Sequence, residues 1–251
     1  MTAYQHDAVA LILGESYHPG GLALTRRLAD SLGLRFGARV VDVASGPGAT
    51  ASLLAAEYGV TVDGIDLGPA AVAAANAQGA QAGIGDRVVF RVGDAERLPL
   101  DDASVDAVVC ECALCTFPDK EAATAEMARV LKPGGRVGIT DVTLDRDRLD
   151  PQLATLAGWV ACMADARPAA DYCRYLERAG LEMTLAEAHD DALARMIDTI
   201  DARLTAYAMI NLPALAGLDI QAVHHKVAIA ARAAADGTAG YTLLVARKPA
   251  T

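Results

Sequence analysis

Aromatic residues are scarce in this chain of 251 residues: Phe, Trp and Tyr make up 4 % of it, with a single tryptophan. Proteins that bind single-stranded nucleic acid stack the bases on aromatic side chains, so this composition argues against such a platform. Positive charge is also in short supply, since 22 Lys and Arg face 32 Asp and Glu and leave a formal net charge of −10. We therefore expect neither nucleic acid nor a membrane as a partner.

Long apolar runs are missing too. No apolar stretch approaches the ~20 residues that a membrane span requires. Residues 1–7 are polar and lack the basic-then-apolar order of a secretory signal. These absences predict a cytoplasmic protein.

Cysteine is absent from residues 1–109, and all five cysteines lie between Cys110 and Cys173. In a reducing cytosol we expect thiols rather than disulfides. The composition is otherwise that of a globular protein, with 53 % hydrophobic residues. A chain of this length can bury a substantial core, and we expect one domain over residues 1–251 with an insertion rather than two full domains.

The pattern around which the chain is organised is a glycine-bearing turn behind an apolar strand. Residues 40–43 form the apolar run, Gly46 and Gly48 follow it, and a helix is predicted at 51–58. Strand, turn and helix in this order are typical of nucleotide-binding α/β domains. The glycines let the backbone approach a ligand closely, and the helix start offers unpaired N–H groups to it.

Strands and helices alternate along most of the chain, which predicts a doubly wound α/β sheet. The predicted strands are residues 39–44, 60–65, 88–92, 105–110, 136–140, 181–188 and 241–246. The predicted helices are residues 4–13, 22–34, 51–58, 69–78, 120–131, 151–163, 169–179, 190–210 and 220–235.

Two segments lie outside this alternation. Residues 1–36 are predicted as a helical leader that either caps the cofactor mouth, with Tyr17 and His18 near it, or packs on the sheet surface. Residues 190–236 are predicted as a helical insertion before the final strand.

Two acids follow predicted strands, where open parallel sheets bind their ligands. Asp66 stands 18 positions after Gly48 and suits a pair of ribose hydroxyls, because a carboxylate accepts several hydrogen bonds. Asp94 suits an exocyclic amine of a base. Each is also compatible with a plain structural role, Asp66 as a cap before the helix at 69–78 and Asp94 as a turn residue.

Four ordered motifs resemble those of class I S-adenosylmethionine-dependent methyltransferases. They are the glycine turn, Asp66, the triplet Gly93-Asp94-Ala95 and the run Arg-Val-Leu-Lys-Pro-Gly-Gly at residues 129–135. A dehydrogenase would share the first turn but not the last run. The resemblance covers roughly residues 35–145 and the final strand. One departure is Ala44, which stands where the family usually has a glycine, and we expect only a slight shift there.

This resemblance implies a Rossmann-like seven-stranded sheet whose last strand is antiparallel, with S-adenosyl-L-methionine as the cofactor. It implies methionine-end contacts near Ser45, Gly46 and Gly48, ribose on Asp66 and adenine beside Asp94 and Ala95. The cofactor-binding residues carried over are Asp42, Ala44, Ser45, Gly46, Gly48, Asp66, Leu67, Asp94, Ala95 and Glu111.

Two further segments resemble the arsenite methyltransferases. The sequence Glu-Cys-Ala-Leu-Cys-Thr-Phe-Pro-Asp-Lys at residues 111–120 resembles their exit from strand four, and residues 159–166 resemble a second cysteine-bearing segment. The metalloid-binding cysteines of that family match Cys112 and Cys162. The family usually has a further cysteine upstream of the glycine turn, so a third ligand here would be Cys115, Cys110 or an external thiol.

The resemblance therefore predicts methyl transfer to thiolate-bound trivalent arsenic, with Cys112, Cys162 and Glu111 as catalytic residues. Trivalent arsenic is soft and selects thiolates, which leave its lone pair free to attack a sulfonium methyl group. Free cysteine is also a common core residue, so the same cysteines are compatible with simple burial. The alternative function is methylation of an oxygen, nitrogen or carbon of a small organic metabolite, with Glu111 or His18 as the base. A sensor that binds without turnover is a third possibility.

Overall fold

The computed structural model describes residues 18–148, 165–209 and 220–250. Seven strands occur in these ranges: β1 (Arg39–Val43), β2 (Thr61–Asp66), β3 (Val88–Val92), β4 (Val105–Glu111), β5 (Leu131–Leu144), β6 (Glu182–Ala188) and β7 (Ala239–Arg247). The helices there are α1 (Gly21–Leu32), α2 (Ala49–Tyr58), α3 (Pro69–Gln81), α4 (Lys120–Val130), α5 (Ala169–Arg178), α6 (Asp190–Met209) and α7 (Ile220–Ala235). The predicted helices at 4–13 and 151–163, together with Tyr17, lie outside the described residues.

The seven strands form one sheet in the order β3-β2-β1-β4-β5-β7-β6. The pairs from β3 to β5 are parallel, whereas β7 runs antiparallel to both β5 and β6. The predicted fold class, a doubly wound seven-stranded sheet with an antiparallel last strand, is confirmed. The predicted helical insertion is also found, because α6 and α7 lie between β6 and β7. The division of the chain into leader, domain and insertion stays a prediction.

The core lies on both faces of the central strands. In β4 the side chains from Ala107 to Cys110 are almost fully buried, as a strand covered by helices on both faces must be. Helix α1 places Leu24, Leu28 and Leu32 on one face at four-residue spacing, and all three are buried. No helix within the described ranges is both long and apolar enough to cross a membrane.

Strand β5 is much longer than predicted. The sequence predicts a strand at 136–140, with a turn before it and a loop after it, but β5 runs from Leu131 to Leu144. Its extension beyond residue 140 is explained by β7, which pairs with it from Arg136 to Leu144, and at its start Leu131 pairs with Val105 of β4. The buried Asp141 is accommodated there because its carboxylate accepts hydrogen bonds from the backbone N–H groups of Cys115 and Val142, at 2.9 and 2.7 Å. Since Glu111 at the end of β4 pairs with Thr140, β5 extends four residues beyond its neighbour.

Tyr172 connects α5 to the extended part of β5 by a hydrogen bond. Its fully buried hydroxyl donates to the carbonyl of Val142 and accepts from the backbone N–H of Arg167, each at 3.1 Å. Burial raises the pKa of the phenol above its usual value, so the hydroxyl keeps its proton.

We predict that Tyr172→Phe lowers the free energy of unfolding by about 1–3 kcal/mol, because it removes the hydroxyl that bonds a buried carbonyl and a partly buried N–H. Chemical denaturation measures the change. Tyr58→Phe is the matched control, since its hydroxyl bonds Asp30 and Arg26 at an exposed position and should contribute less. Equal losses in the two variants would contradict the role assigned to Tyr172.

Candidate functional site

The candidate site lies where the strand order reverses. Strands β1 and β4 are neighbours at the centre of the sheet, and the connections after them lead to opposite sides. In doubly wound sheets such a switch point opens a crevice beyond the carboxyl ends of the strands. The glycine turn follows β1, Asp66 ends β2, and Glu111 ends β4, so the structure brings these predicted site residues to one edge.

The glycine turn is closed by backbone hydrogen bonds and leads directly into α2. The N–H of Ser45 donates to the carbonyl of Ile65 at 3.1 Å, and the N–H of Gly48 donates to that of Ser45 at 2.9 Å. Gly48 has a φ of 87°, and a Cβ there would stand 2.5 Å from the ring of Phe90. A side chain is therefore excluded at Gly48 by both conformation and space.

Ala44 adopts a φ of 59°, in the left-handed region that favours glycine. The turn has a conformation suited to glycine at this position, and alanine adopts it. The slight shift expected relative to the family stays a prediction. An L-residue with a Cβ pays a steric penalty there. The turn therefore holds local strain immediately before Ser45.

Asp66 is oriented by two backbone groups. Its Oδ2 accepts from the N–H of Gly46 at 2.8 Å and its Oδ1 from the N–H of Gly68 at 2.7 Å. A carboxylate has about four acceptor positions, so two remain for further donors. The next residue, Leu67, leaves 71 % of its surface exposed, which is unusual for a large apolar side chain.

Asp94 and Ala95 form the third side of the crevice. The Oδ1 atom of Asp94 accepts from the N–H of Glu96 at 2.9 Å, so the turn role considered from the sequence is observed. Its carboxylate is exposed and retains acceptor capacity, while Ala95 packs against the core.

Asp42 lies beneath the turn and is fully buried. Burial raises the pKa of its carboxyl well above the usual value, and the nearby charges of Glu111 and Asp66 act in the same direction. Within the described residues, its Oδ2 atom and the hydroxyl of Ser45 have no hydrogen-bond partner. Buried polar atoms are nearly always paired in folded proteins, so these two atoms fit a site whose polar ligand supplies partners.

Glu111 is the most heavily bonded side chain of the site. Its Oε2 atom accepts from the hydroxyls of Thr25 at 2.9 Å and Thr50 at 2.7 Å, and its Oε1 atom accepts from Thr140 at 3.3 Å. The Nε2 atom of His18 lies 3.7 Å from Oε2. The carboxylate is 4 % exposed, so hydroxyl groups replace the water that would otherwise solvate it.

The sequence interpretation missed these threonines. Thr140 has a detectable signal, because it is the register partner of Glu111 on the neighbouring strand. Thr50 has a weaker one, in the first turn of the helix behind the glycines. Thr25 has no such signal in the sequence, because it precedes all of the motifs and lies 86 positions before Glu111.

The predicted cysteines separate into different environments. Cys112 directly follows Glu111 with a φ of 52°, is half-buried, and donates its N–H to the carbonyl of Thr140 at 2.6 Å. Cys115 and Cys110 are fully buried, and burial raises the pKa of the Cys110 thiol. Cys162 lies outside the described residues. Among the residues that the structure describes, no group of three His, Cys, Asp or Glu side chains is placed to hold a metal ion.

The family comparison agrees with this architecture. Residues 41–139 match the family model described as a methyltransferase domain. These residues contain the glycine turn, both strand-end acids and Glu111.

Several curated relatives align with a part of this chain. Methyltransferase GfsG of Streptomyces halstedii is 32 % identical over 65 % of this chain and 59 % of its own length. The 27-O-demethylrifamycin SV methyltransferase of Amycolatopsis mediterranei is 41 % identical over 48 % of this chain and 44 % of its own. The arsenite methyltransferase of Halobacterium salinarum is 34 % identical over 58 % of this chain and 38 % of its own. The chain thus spans 38 to 59 % of the length of these relatives.

Solved structures share the fold over nearly the whole chain. One of them, from Galdieria sulphuraria, is named for a suggested activity as a sarcosine dimethylglycine methyltransferase. It superposes with a TM-score of 0.82 over 92 % of this chain and 86 % of its own, at 22 % identity. The [4+2]-cyclase SpnF superposes with a TM-score of 0.73 over 91 % of this chain and 81 % of its own, at 27 % identity.

The sheet order and the crevice at its switch point define a Rossmann-like methyltransferase fold of class I. Residues 41–139 match the methyltransferase domain, so the predicted resemblance to the S-adenosylmethionine-dependent methyltransferases is confirmed for this part of the chain.

We predict that Ala44→Gly raises the free energy of unfolding by up to about 1 kcal/mol. The left-handed conformation costs an L-residue roughly 1–2 kcal/mol, and glycine removes this cost. Glycine also gives the unfolded chain more conformational entropy, which lowers the free energy of unfolding by roughly 0.4–1 kcal/mol. Ala77→Gly on the exposed side of α3 is the matched control and should lose about 1 kcal/mol. A loss at both positions, measured by denaturation, would show that Ala44 is not strained.

Proposed function

We propose that this chain catalyses methyl transfer from S-adenosylmethionine to a small acceptor. The observation that carries the proposal is the convergence of the glycine turn, Asp66 and Glu111 on the crevice at the switch point. Fold alone does not decide the activity, because a solved structure of the same fold is described as a [4+2]-cyclase. The activity therefore rests on the site residues and on the experiments below.

The cofactor-binding residues divide along the crevice. The methionine end would be held by Ser45, Gly46 and Gly48, with Asp42 and Ala44 beneath them. Its ammonium group would donate to the Asp42 oxygen and its carboxylate would accept from the Ser45 hydroxyl, the two atoms that have no partner among the described residues. Asp66 would accept from the ribose hydroxyls with its remaining lone pairs. Leu67, Asp94 and Ala95 would face the adenine, Leu67 as an exposed apolar wall. The cofactor supplies an electrophilic methyl group on a sulfonium.

We predict that Asp66→Asn weakens binding of S-adenosylmethionine by at least about tenfold, because one lost charge-assisted hydrogen bond is worth about 1.5–3 kcal/mol. Isothermal titration calorimetry measures the affinity, and thermal denaturation shows whether the variant is folded. Asp86→Asn, at an exposed position before β3, controls for the loss of one negative charge. Unchanged affinity in a folded Asp66→Asn variant would remove Asp66 from the cofactor site.

Thiolate-bound trivalent arsenic is the first candidate acceptor. Its support is Cys112, a half-buried thiol next to Glu111 whose backbone is held in a conformation that L-residues seldom adopt. Strained positions of this kind concentrate at functional sites. The burial of Cys110 and Cys115 favours Cys162 or an external thiol as the further ligand, since the buried pair would have to leave the core. One relative, 34 % identical over 58 % of this chain, is named an arsenite methyltransferase.

A small organic acceptor is the second candidate, and the pair of His18 and Glu111 favours it. A histidine 3.7 Å from a buried carboxylate matches the pairing of a general base with the group that orients it. Three hydroxyls already occupy lone pairs of Glu111. We therefore assign Glu111 as the orienting group and His18 as the base. The Nδ1 atom of His18 lies 3.2 Å from the carbonyl of Pro19 and would have to leave it to take a proton from an acceptor oxygen or carbon.

One assay separates the two acceptors. Methyl-labelled S-adenosylmethionine is incubated with trivalent arsenite and a reducing thiol, using the wild-type chain, Cys112→Ser and Cys173→Ser. The arsenite proposal predicts methylated arsenic from the wild type, a loss of at least about tenfold in Cys112→Ser, as for a lost ligand-shell interaction, and no loss in Cys173→Ser. Cys173 is the matched control because it is a partly buried thiol on α5.

The contrary result is equally informative. A wild-type chain that binds S-adenosylmethionine but forms no methylated arsenic would overturn the arsenite proposal. The same labelled cofactor is then offered to a panel of small organic acceptors, where His18→Gln should lower turnover and leave cofactor affinity unchanged. No transfer to either panel would overturn the methyltransferase activity itself.

A further inference from the structure

Three cationic side chains converge on one carboxylate at the far end of β5. The Nζ atom of Lys120 lies 2.6 Å from Asp165 Oδ2, and Arg146 and Arg167 reach Asp165 Oδ1 at 3.0 and 2.6 Å. We call these four residues the Asp165 cluster. Lys120 begins α4, Arg146 begins the short 3-10 turn Arg146–Arg148 behind β5, and Arg167 forms a bridge with Thr143.

The cluster carries a surplus of positive charge in an acidic chain. Within the described residues, Asp165 is the one carboxylate at ion-pair distance from the three cations. Burial pushes the pKa of Asp165 up, but hydrogen bonding to Lys120 and the charges of Lys120 and Arg167 outweigh it and leave the pKa lowered. Asp165 is therefore ionised near neutral pH, and the formal charges of the four side chains sum to about two positive charges.

The cations are held in place but incompletely partnered. The side chain of Lys120 is 4 % exposed, and its ammonium is fixed by a second hydrogen bond to the carbonyl of Phe117 at 2.9 Å. Among the residues that the structure describes, the buried Nε atom of Arg167 has no hydrogen-bond partner. A buried guanidinium nitrogen in this state is costly, and a turn of the Arg167 side chain toward a bound oxyanion would satisfy it. Arg167 and Arg146 remain 34 % and 43 % exposed, so such an anion can reach them.

The position of the cluster relates it to the crevice. Thr140 is level with Glu111, and Thr143, which bridges to Arg167, lies three residues further along β5. At about 3.3 Å per residue the cluster lies roughly 10 Å beyond Glu111, on the side where the parallel strands end. That separation is within the length of a small acceptor molecule.

We propose that Lys120, Arg146 and Arg167 form an anion subsite for a carboxylate or phosphate group of the acceptor. The assignment of the anion to the acceptor rests on the proposed methyl transfer, whereas the subsite itself does not. Asp165 holds the three cations together and limits their affinity for an anion. A purely structural ion-pair cluster would instead be satisfied by Asp165 and would gain nothing from a second anion.

The test is calorimetric titration of the full chain with inorganic phosphate and, separately, acetate, at constant ionic strength. The variants are Arg167→Gln, Arg146→Gln and Asp165→Asn. Arg195→Gln is the matched control, because Arg195 is likewise paired with an aspartate, Asp191, on exposed α6. Thermal denaturation and titration with S-adenosylmethionine accompany each variant, so that a folding defect is recognised separately.

The subsite predicts saturable binding of one of the two anions, and the stronger binder identifies the group. Arg167→Gln should weaken that binding by at least about tenfold, corresponding to one charge-assisted hydrogen bond, and Arg195→Gln should leave it unchanged. Asp165→Asn should tighten it, because the competing carboxylate is gone. If Asp165→Asn fails to fold, Arg146→Gln still tests the subsite, because Arg146 is partly exposed and its replacement should weaken the binding.

Two results would overturn the subsite: no saturable binding of either anion, or binding that survives undiminished in both folded arginine variants. Methyl transfer is not needed for either judgement. Anion binding that the arginine variants lose would support the subsite even in a chain that transfers no methyl group, and that absence of turnover would count against the proposed function alone.

Discussion

The site depends on a single buried carboxylate. Glu111 ends β4, and its two oxygens collect hydroxyl groups from three other elements: Thr25 of α1, Thr50 of α2 and Thr140 of β5. A carboxylate removed from water is costly unless it is fully hydrogen-bonded, so these hydroxyls and the acid require one another. The same contacts fix the helix behind the glycine turn relative to the central strand. The hydrogen bonds of Glu111 therefore fix the geometry of the crevice.

This network also reaches the part of the sheet farthest along the chain. The hydroxyl of Tyr241 in β7 donates to Thr140 at 3.0 Å, and Thr140 in turn donates to Glu111. Burial raises the pKa of Tyr241 well above its usual value, and the neighbouring acids act in the same direction. The phenol therefore keeps its proton and serves as a constant donor. Hydrogen bonds that share a group strengthen one another in a protein interior without water. The linked hydrogen bonds from Tyr241 through Thr140 therefore make the position of Glu111 more rigid.

Much of the fold was predictable because it depends on local patterns. The apolar run and glycines identify β1 and its turn, and the regular alternation identifies the parallel half of the sheet. The length of β5 was not predictable, because its outer residues become strand only through pairing with β7, about a hundred positions away. For the same reason Thr25 escaped notice as a partner of Glu111, since the contact exists only after the chain has folded. The separation of Cys112 from Cys115 likewise depends on a short 3-10 turn whose direction the sequence does not reveal.

The position of β7 has a consequence for biosynthesis. Strand β7 lies between β5 and β6, yet both of those strands precede it in the chain and are made before it. Until residues 239–247 emerge from the ribosome, β5 presents an open edge with the buried residues of its outer half unpaired. Open edges of this kind attract foreign strands. The nascent chain is thus exposed to misassociation until β7 inserts, and closure of the sheet and completion of the donor chain behind Glu111 take place in one step.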